Sequence, residues 1–533
     1  MADPQVDLQP DRVLFNGAIY TMDPRLPRAS ALAVVGGRIA ALGSDDLKAA
    51  AGPGTDRVDL EGRCVLPGLT DAHIHYTWFA RGLQDVNLGD TTTLEDAMAR
   101  VAQRAHTTPP GEWIRGRGWD QEVWANRRFP TAADLDRASS THPIALVAKS
   151  GHALAANSLA LAQARVTADR PDPAGGRIVR DATGQPTGLL LEDAMDLVLE
   201  AIPEPDVETI AAAVEGAFER AWRVGLTAIH DVDRLDAFDA YQRLHARGTL
   251  GLRVVKYLPS DILNAALALR LRTGLGDDWL RIGGIKAFAD GALGPRTAAM
   301  LEPFVGEPGN LGMMTLSQAE LDHLVRRASG GGLALAVHAI GDRANRAVLD
   351  ALSTAQPSTP PLRHRIEHAQ IVHPDDVGRF AALGVVASMQ PIHATQDARM
   401  VDRYWGERGA NAYAWRSLLN AGAVLAFGSD CPVEDMNPFL GIHAAVTRAR
   451  SDGYGGPDGW RPEQRLSVTE AVWGFTQGAA YAGGMEQAIG SLSAGKWADL
   501  AVLDRDIFTC DPAAIAETQV LGTMIAGEWV FRT

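Results

Sequence analysis

Apolar positions along this chain follow two rhythms. Before residue 66, short alternating runs at Arg12–Tyr20, Ala31–Val35, Arg38–Leu42 and Arg57–Leu60 read as strands, with Gly36-Gly37 as a hairpin turn. The C-terminal end repeats this pattern at Asp499–Leu503, Val520–Ile525 and Trp529–Phe531. Neither end is long enough to close a good sheet alone. The economical expectation is one small β-sandwich domain built from both termini, residues 1–66 and 488–533, with the remainder inserted into it.

The middle, residues 67–487, behaves differently. Short apolar runs alternate with stretches that repeat apolar residues at helical spacing. Thr92 with Glu95 and Ser317 with Glu320 read as capping boxes that open helices, and a third helix runs from about Asp206 to Arg223 and stops at Gly225. The strands between such helices are Val65–His75, Leu226–Asp231, Leu252–Leu258, Ile282–Phe288, Leu333–His338, His364–Ala369, Val385–Gln390 and Val424–Asp430. Most are apolar along their length, as strands covered on both faces are. Eight such strands with intervening helices predict an α/β fold, a (β/α)8 TIM barrel. The gap between the first and second strands far exceeds an ordinary loop, so residues from about 78 to 200 read as an insertion at the barrel mouth.

Composition narrows the function classes. The 533 residues are 46% hydrophobic and 22% charged, enough for a large core and unlike a disordered chain. Lys plus Arg number 50 against 65 Asp plus Glu, a formal charge of −15, which argues against nucleic acid and anionic membranes and leaves a small-molecule substrate. Three cysteines without a CxxC, an N-terminus without an apolar core and the lack of an 18-residue apolar run lead us to expect a cytoplasmic protein.

The reactive side chains gather at the predicted strand ends. His73 and His75 close the first strand, and i, i+2 residues face one side. Lys286 lies in the fourth strand, His338 ends the fifth, His368 the sixth and Asp430 the eighth. Taken singly, each has a plain reading: a hydrogen-bonded rim histidine, a salt-bridged lysine, a helix-capping aspartate. Their recurrence at corresponding places in one strand–helix pattern makes them a ligand set suited to Zn²⁺. Glu367 precedes His368 and should point to the opposite face, so it reads as a structural carboxylate. Asp290, Gln390 and His393 lie just past strand ends and line the pocket or orient the ligands. The remaining histidines, His152 apart, read as structural. Gly490 to Lys496 follows G-x-x-x-x-G-K, but Trp497 stands where a phosphate loop needs Ser or Thr.

These segments carry a resemblance. Leu66-Pro67-Gly68-Leu69-Thr70-Asp71-Ala72-His73-Ile74-His75 is similar to the first-strand signature of the amidohydrolase superfamily. More narrowly, the chain resembles the amidohydrolase family 3 branch, the YtcJ-like proteins that include N-substituted formamide deformylases. Supporting segments are Gly151-His152-Ala153 with Asn157, Gly283 to Gly294, Val337 to Asp342, His364 to His368, Met389-Gln390-Pro391, Gly428-Ser429-Asp430 and Gly495 to Leu500.

The resemblance implies a metal-dependent hydrolase of non-peptide C–N bonds, with a formamide or N-acyl compound as the expected substrate. It implies one metal site at His73 and His75, a second at His338 and His368, and Lys286 as a carboxylated bridge; without the carbamate, one ion remains. Asp430 would move the proton and His152 would help hold the oxyanion. Trp119, in Gly116-Arg117-Gly118-Trp119-Asp120, would meet an apolar or aromatic substrate group. A homodimer is expected on the same ground. Alternative readings are a single-metal deaminase or cyclic-amide hydrolase, and a non-catalytic scaffold on the same fold; retention of all six ligands argues against the last.

Overall fold

The computed structural model describes residues 9–533 except 122, 126, 150, 152, 174 and 175. The chain separates into two compact units, Met1–Phe79 with Val214–Thr533, and Ala80–Ala213.

The first unit is organised by eight parallel strands: β1 (Leu69–Ile74), β2 (Leu226–Asp231), β3 (Arg253–Pro259), β4 (Leu280–Phe288), β5 (Leu335–Ala339), β6 (Arg365–His368), β7 (Val386–Met389) and β8 (Leu425–Phe427). They pair in sequence order from β1 to β8. Helices such as Leu235–Arg247, Gln318–Gly330, Asp342–Leu352 and Pro374–Leu383 alternate with them. Every residue of β1, β2, β6, β7 and β8 is buried, because helices cover one face and the barrel interior the other. No ladder joins β8 to β1. Two backbone bonds bridge that seam instead: Asp430 N donates to His73 O at 2.8 Å, and His75 N to Cys431 O at 2.9 Å. The result is a nearly closed α/β barrel. Gly428 lies at the seam, where a Cβ would overlap His73 N and the Asp71 carboxylate.

The predicted strand Val65–His75 is in fact two. Cys64–Pro67 belongs to a six-stranded sheet with Leu500–Leu503 and Val520–Ile525, while β1 belongs to the barrel. The chain changes sheets at Gly68, whose N donates to Asp499 O, while Leu69 N donates to Gly225 O. A four-stranded sheet of Arg12–Phe15, Ala31–Val35, Arg38–Gly43 and Asp56–Asp59 completes the terminal segments. The two terminal sheets share one core that includes Leu14, Val34, Val58, Val65, Leu500, Val502 and Met524. Gly36 and Gly37 both adopt left-handed φ (55° and 76°), as the tight hairpin requires. Arg253 of β3 and Asp499 form a fully buried ion pair at 2.6 Å between barrel and terminal sheet.

The Gln318–Gly330 helix carries the Ser317/Glu320 capping box. The helix expected to open at Thr92 is capped one residue later, by Thr93 accepting from Asp96 N. Lys496 of the phosphate-loop look-alike donates to Ile489 O and to Ser491 Oγ at 3.1 and 2.6 Å, so its own loop consumes its ammonium.

The second unit contains a six-stranded mixed sheet, with Ile114–Trp119, Ile144–Ala148 and Ala153–Ala156 at its centre. Trp119, Trp124, Leu135, Ile144 and Leu146 form a core on one face of it. Among the described residues, no helix is long and apolar enough to cross a membrane.

Candidate metal centre

The barrel's C-terminal strand ends bring five of the six predicted ligands into a histidine–aspartate cluster, with Lys286 buried on β4 beneath it. Ring centroids of His73 and His75 lie 5.9 Å apart, His73 and His368 4.8 Å, and His338 and His368 4.7 Å. Asp430 Oδ1 lies 3.5 Å from His73 Nε2 and 3.6 Å from His75 Nε2. Two donors each about 2.1 Å from a shared tetrahedral ion would be about 3.4 Å apart. The ligand atoms of His73, His75 and Asp430 all fall within 4.8 Å of one another.

The far nitrogen of each of the four imidazoles is occupied by an oxygen. His73 Nδ1 faces Glu367 Oε2, His75 Nδ1 faces Asp233 Oδ1 at 2.8 Å, His338 Nε2 faces Gly291 O at 2.9 Å, and His368 Nδ1 faces Gln390 Oε1 at 2.8 Å. An oxygen acceptor requires N–H there, so the other ring nitrogen carries a lone pair. This is the protonation pattern a divalent ion needs. The residues therefore fit such an ion on their own chemistry. Burial holds His338 neutral, its pKa pushed down to about 3, with the Lys286 charge adding to the effect. Burial likewise lowers His73 and His368. At His75 burial is outweighed by the hydrogen bond and charge of Asp233, and the net shift is upward.

His393 differs from the other four. It stands in the first turn of the helix Pro391–Tyr404 and faces Asp430 Oδ2 through Nε2 at 3.2 Å and Glu434 Oε1 through Nδ1 at 3.6 Å. Burial disfavours its cation, but the hydrogen bonds to the two carboxylates and their charge outweigh burial and push its pKa up to about 10. Its ligand atom also lies within 4.8 Å of those of His368 and Asp430, a second group of three that could hold an ion. It holds Oδ2 of Asp430 and leaves Oδ1 toward His73 and His75.

Lys286 is buried on β4, and desolvation lowers its pKa to about 8 despite the nearby charges of Glu367 and Asp430. A substantial fraction of the amine is therefore neutral near pH 8.

Several expectations are corrected. Glu367 does not point away from the site: it is fully buried inside the barrel, bonded to His73 and to Arg365. Strand alternation fails here because His368 and Ala369 take left-handed φ values of 70° and 42°, which turns the next side chain toward the same interior. Of the two roles open to Asp290 and Gln390, the orienting one fits: the buried Asp290 carboxylate accepts from Ala299 N, Ile340 N and Gly341 N at 2.8–3.0 Å and lies 3.6 Å from His338 Nε2, and the buried Gln390 faces His368 Nδ1. Trp119 belongs to the core of the Ala80–Ala213 unit, with Nε1 donating to Leu146 O at 2.8 Å and its ring against Trp124 and Phe129. No face of that ring is left for a substrate. His152 lies outside the described residues.

Asp233 went unnoticed in the sequence because it lies beyond the end of β2. The available signal was the Asp231-Val232-Asp233 spacing at a strand end. Asp233 also accepts from Thr77 N and Trp78 N. The aromatic rings that do border the centre are half-exposed: Trp78, 5.8 Å from His75, and Phe288, 5.3 Å from His338.

An eight-stranded parallel barrel with imidazoles and a carboxylate converging at its C-terminal rim is the architecture of a metal-dependent hydrolase. The sequence profile of the Amidohydrolase family matches residues 56–531, and the chain belongs to that family. Protein LONG AFTER FAR-RED 3 of Arabidopsis thaliana is 35% identical, over 99% of this chain and 93% of its own length. The putative amidohydrolase YtcJ of Bacillus subtilis is 33% identical (97% and 98%), and the N-substituted formamide deformylase of Arthrobacter pascens 31% (97% of each). The crystal structure of an uncharacterized metal-dependent hydrolase from Pyrococcus furiosus superposes with a TM-score of 0.79 at 31% identity, covering 93% of this chain and all of that one.

Proposed function

We propose that this hydrolase cleaves a non-peptide C–N bond, that of a formamide or another N-acyl compound, with zinc as its metal. The observation that carries the reading is the set of four imidazoles, each with one nitrogen tied to an oxygen and the other free. The formamide deformylase among the relatives supports the bond class. His73, His75, His338 and His368 would hold the metal, and Lys286, as a carbamate, would bridge two ions. A bound divalent ion would supply Lewis-acid polarisation and make hydroxide available near neutral pH.

The remaining chemistry belongs to the chain. Asp430 Oδ1 lies between His73 and His75, where it accepts the proton of the attacking water and returns it to the departing nitrogen. His393 holds Oδ2, so the carboxylate cannot rotate away from the reacting atoms. Trp78 and Phe288 present apolar surface beside the imidazoles, which supports an apolar substituent on the substrate.

The test is metal analysis of the purified protein, followed by a screen of formamides, N-acyl amino acids and cyclic amides. Activity should vanish on chelation and return with zinc. Asp430→Asn should lower kcat by about 10²–10⁴-fold. Full activity after chelation, or an unaffected Asp430→Asn variant, overturns the reading.

A further inference from the structure

The Ala80–Ala213 unit holds a cavity of its own, about 810 Å³ in volume and lined by residues of that unit alone. That size falls within the range of about 300–1,000 Å³ typical of small-molecule sites. Four places build its wall: the end of the helix Tyr76–Gly82, the last turn of the helix Leu94–Ala105, the start of the strand Ile114–Trp119, and the segment that leads into the helix Val207–Trp222.

The apolar part of the wall is firmly backed. Trp113 and Ile202 line the cavity and pack onto a core that includes Leu154, Leu161 and Val198. Ile210 and Ala213 also line it, and both are buried.

The uncompensated charge on the sheltered part of the wall is positive. Arg81, Arg104 and Arg115 line the cavity, each from a different element. Arg115 is taken up by Asp85, bonding one carboxylate oxygen through Nε at 2.9 Å and Nη2 at 2.8 Å. Arg81 meets the exposed Glu204 at 3.2 Å. Glu112 is exposed, so water screens its charge. Arg104 is half-buried, and among the described residues it has no ion-pair partner. Its charge reaches Asp85, whose pKa burial raises even though Arg115, Arg117 and Arg104 all act to lower it. The wall there is poorly hydrated, and a charge pair made at Arg104 is stronger than one on open surface.

We propose that this cavity, built without any residue of the metal centre, is a second ligand site for a small organic acid, whose carboxylate pairs with Arg104 and whose apolar or aromatic body lies against Trp113 and Ile202. A planar guanidinium with no partner is a ready acceptor of a carboxylate, and the indole supplies a face for the body of the acid.

The test is a calorimetric titration of the full-length, metal-loaded protein with phenylacetate. Phenethylamine and phenylethanol carry a similar body with a cation or no charge, and serve as comparisons. Phenylacetate should bind one site per chain, about 10-fold or more tightly than either comparison. Arg104→Gln should weaken it by about 10–100-fold at an unchanged unfolding temperature. Ala212→Trp, at an exposed position on the cavity wall, should block the site outright. Chelation of the metal should leave the affinity unchanged. Lack of saturable binding, equal binding of the three probes, or undiminished binding in either variant overturns the proposal. Binding that is lost on chelation and retained in Arg104→Gln places the acid on the metal instead, and overturns it too.

Discussion

Glu367 meets His73 across the interior of the barrel, 294 positions apart in sequence, and the same carboxylate binds Arg365 of its own strand. Arg365 fans out to Ser388 Oγ at 2.6 Å, to Ala72 O and to His230 Nδ1 at 2.8 Å, all neutral partners. Glu367 is thus the charge that makes a fully buried guanidinium tolerable while it sets the tautomer of His73. Glu367→Gln keeps the shape and removes the charge. We expect a stability loss of about 3–5 kcal/mol, as for other buried pairs with one partner neutralised. Thermal unfolding read by circular dichroism checks this; an unchanged unfolding temperature contradicts it.

Trp119 predicts a different phenotype from a pocket residue. Truncation to Ala in a sealed core costs about 3–5 kcal/mol. Protease sensitivity within the Ala80–Ala213 unit should rise, and Trp119→Phe should recover most of the loss. A KM effect without a stability effect would return Trp119 to the substrate site.

Gly428 packs directly against His73 N and Asp71. Gly428→Ala forces the β1–β8 seam apart and should cost about 1–3 kcal/mol. The same variant should bind zinc more weakly, since His73 and Asp430 both hang from that seam. Unaltered zinc affinity would show that the seam is slack.

Glu470 closes a capping box with Ser467 and forms a paired contact with Arg416. The Arg416 hydrogen bond, helped by Ser467 and opposed by partial burial, lowers its pKa from 4.5 to about 2. A depressed carboxylate pKa stabilises the folded state fully above pH 4.5, and that contribution fades as pH falls toward 2. Glu470→Gln should therefore lower the unfolding temperature at pH 7 and fall progressively less short of wild type below pH 4.5. A deficit that is independent of pH would assign the effect to packing.

Much of this was legible before any coordinates. The barrel strands announced themselves as short apolar runs, and the His73/His75 pair needed only the two-residue period of a strand. The sequence could not show where that period stops. Left-handed φ at His368 brings Glu367 and His368 to the same interior, and no residue-type signal marks the turn, since neither His368 nor Ala369 is glycine. Val65–His75 read as one strand because the sheet change at Gly68 depends on Asp499 and Gly225, which are distant in sequence. Trp119 was misplaced because an aromatic beside glycines looks alike in a pocket and in a core.

The backbone clasp between Asp430 and His73 joins the first barrel strand to a residue 357 positions later. A chain made only as far as residue 429 therefore lacks both that clasp and the carboxylate beside His73 and His75, so the cylinder and the cluster at its rim are completed by the same short segment.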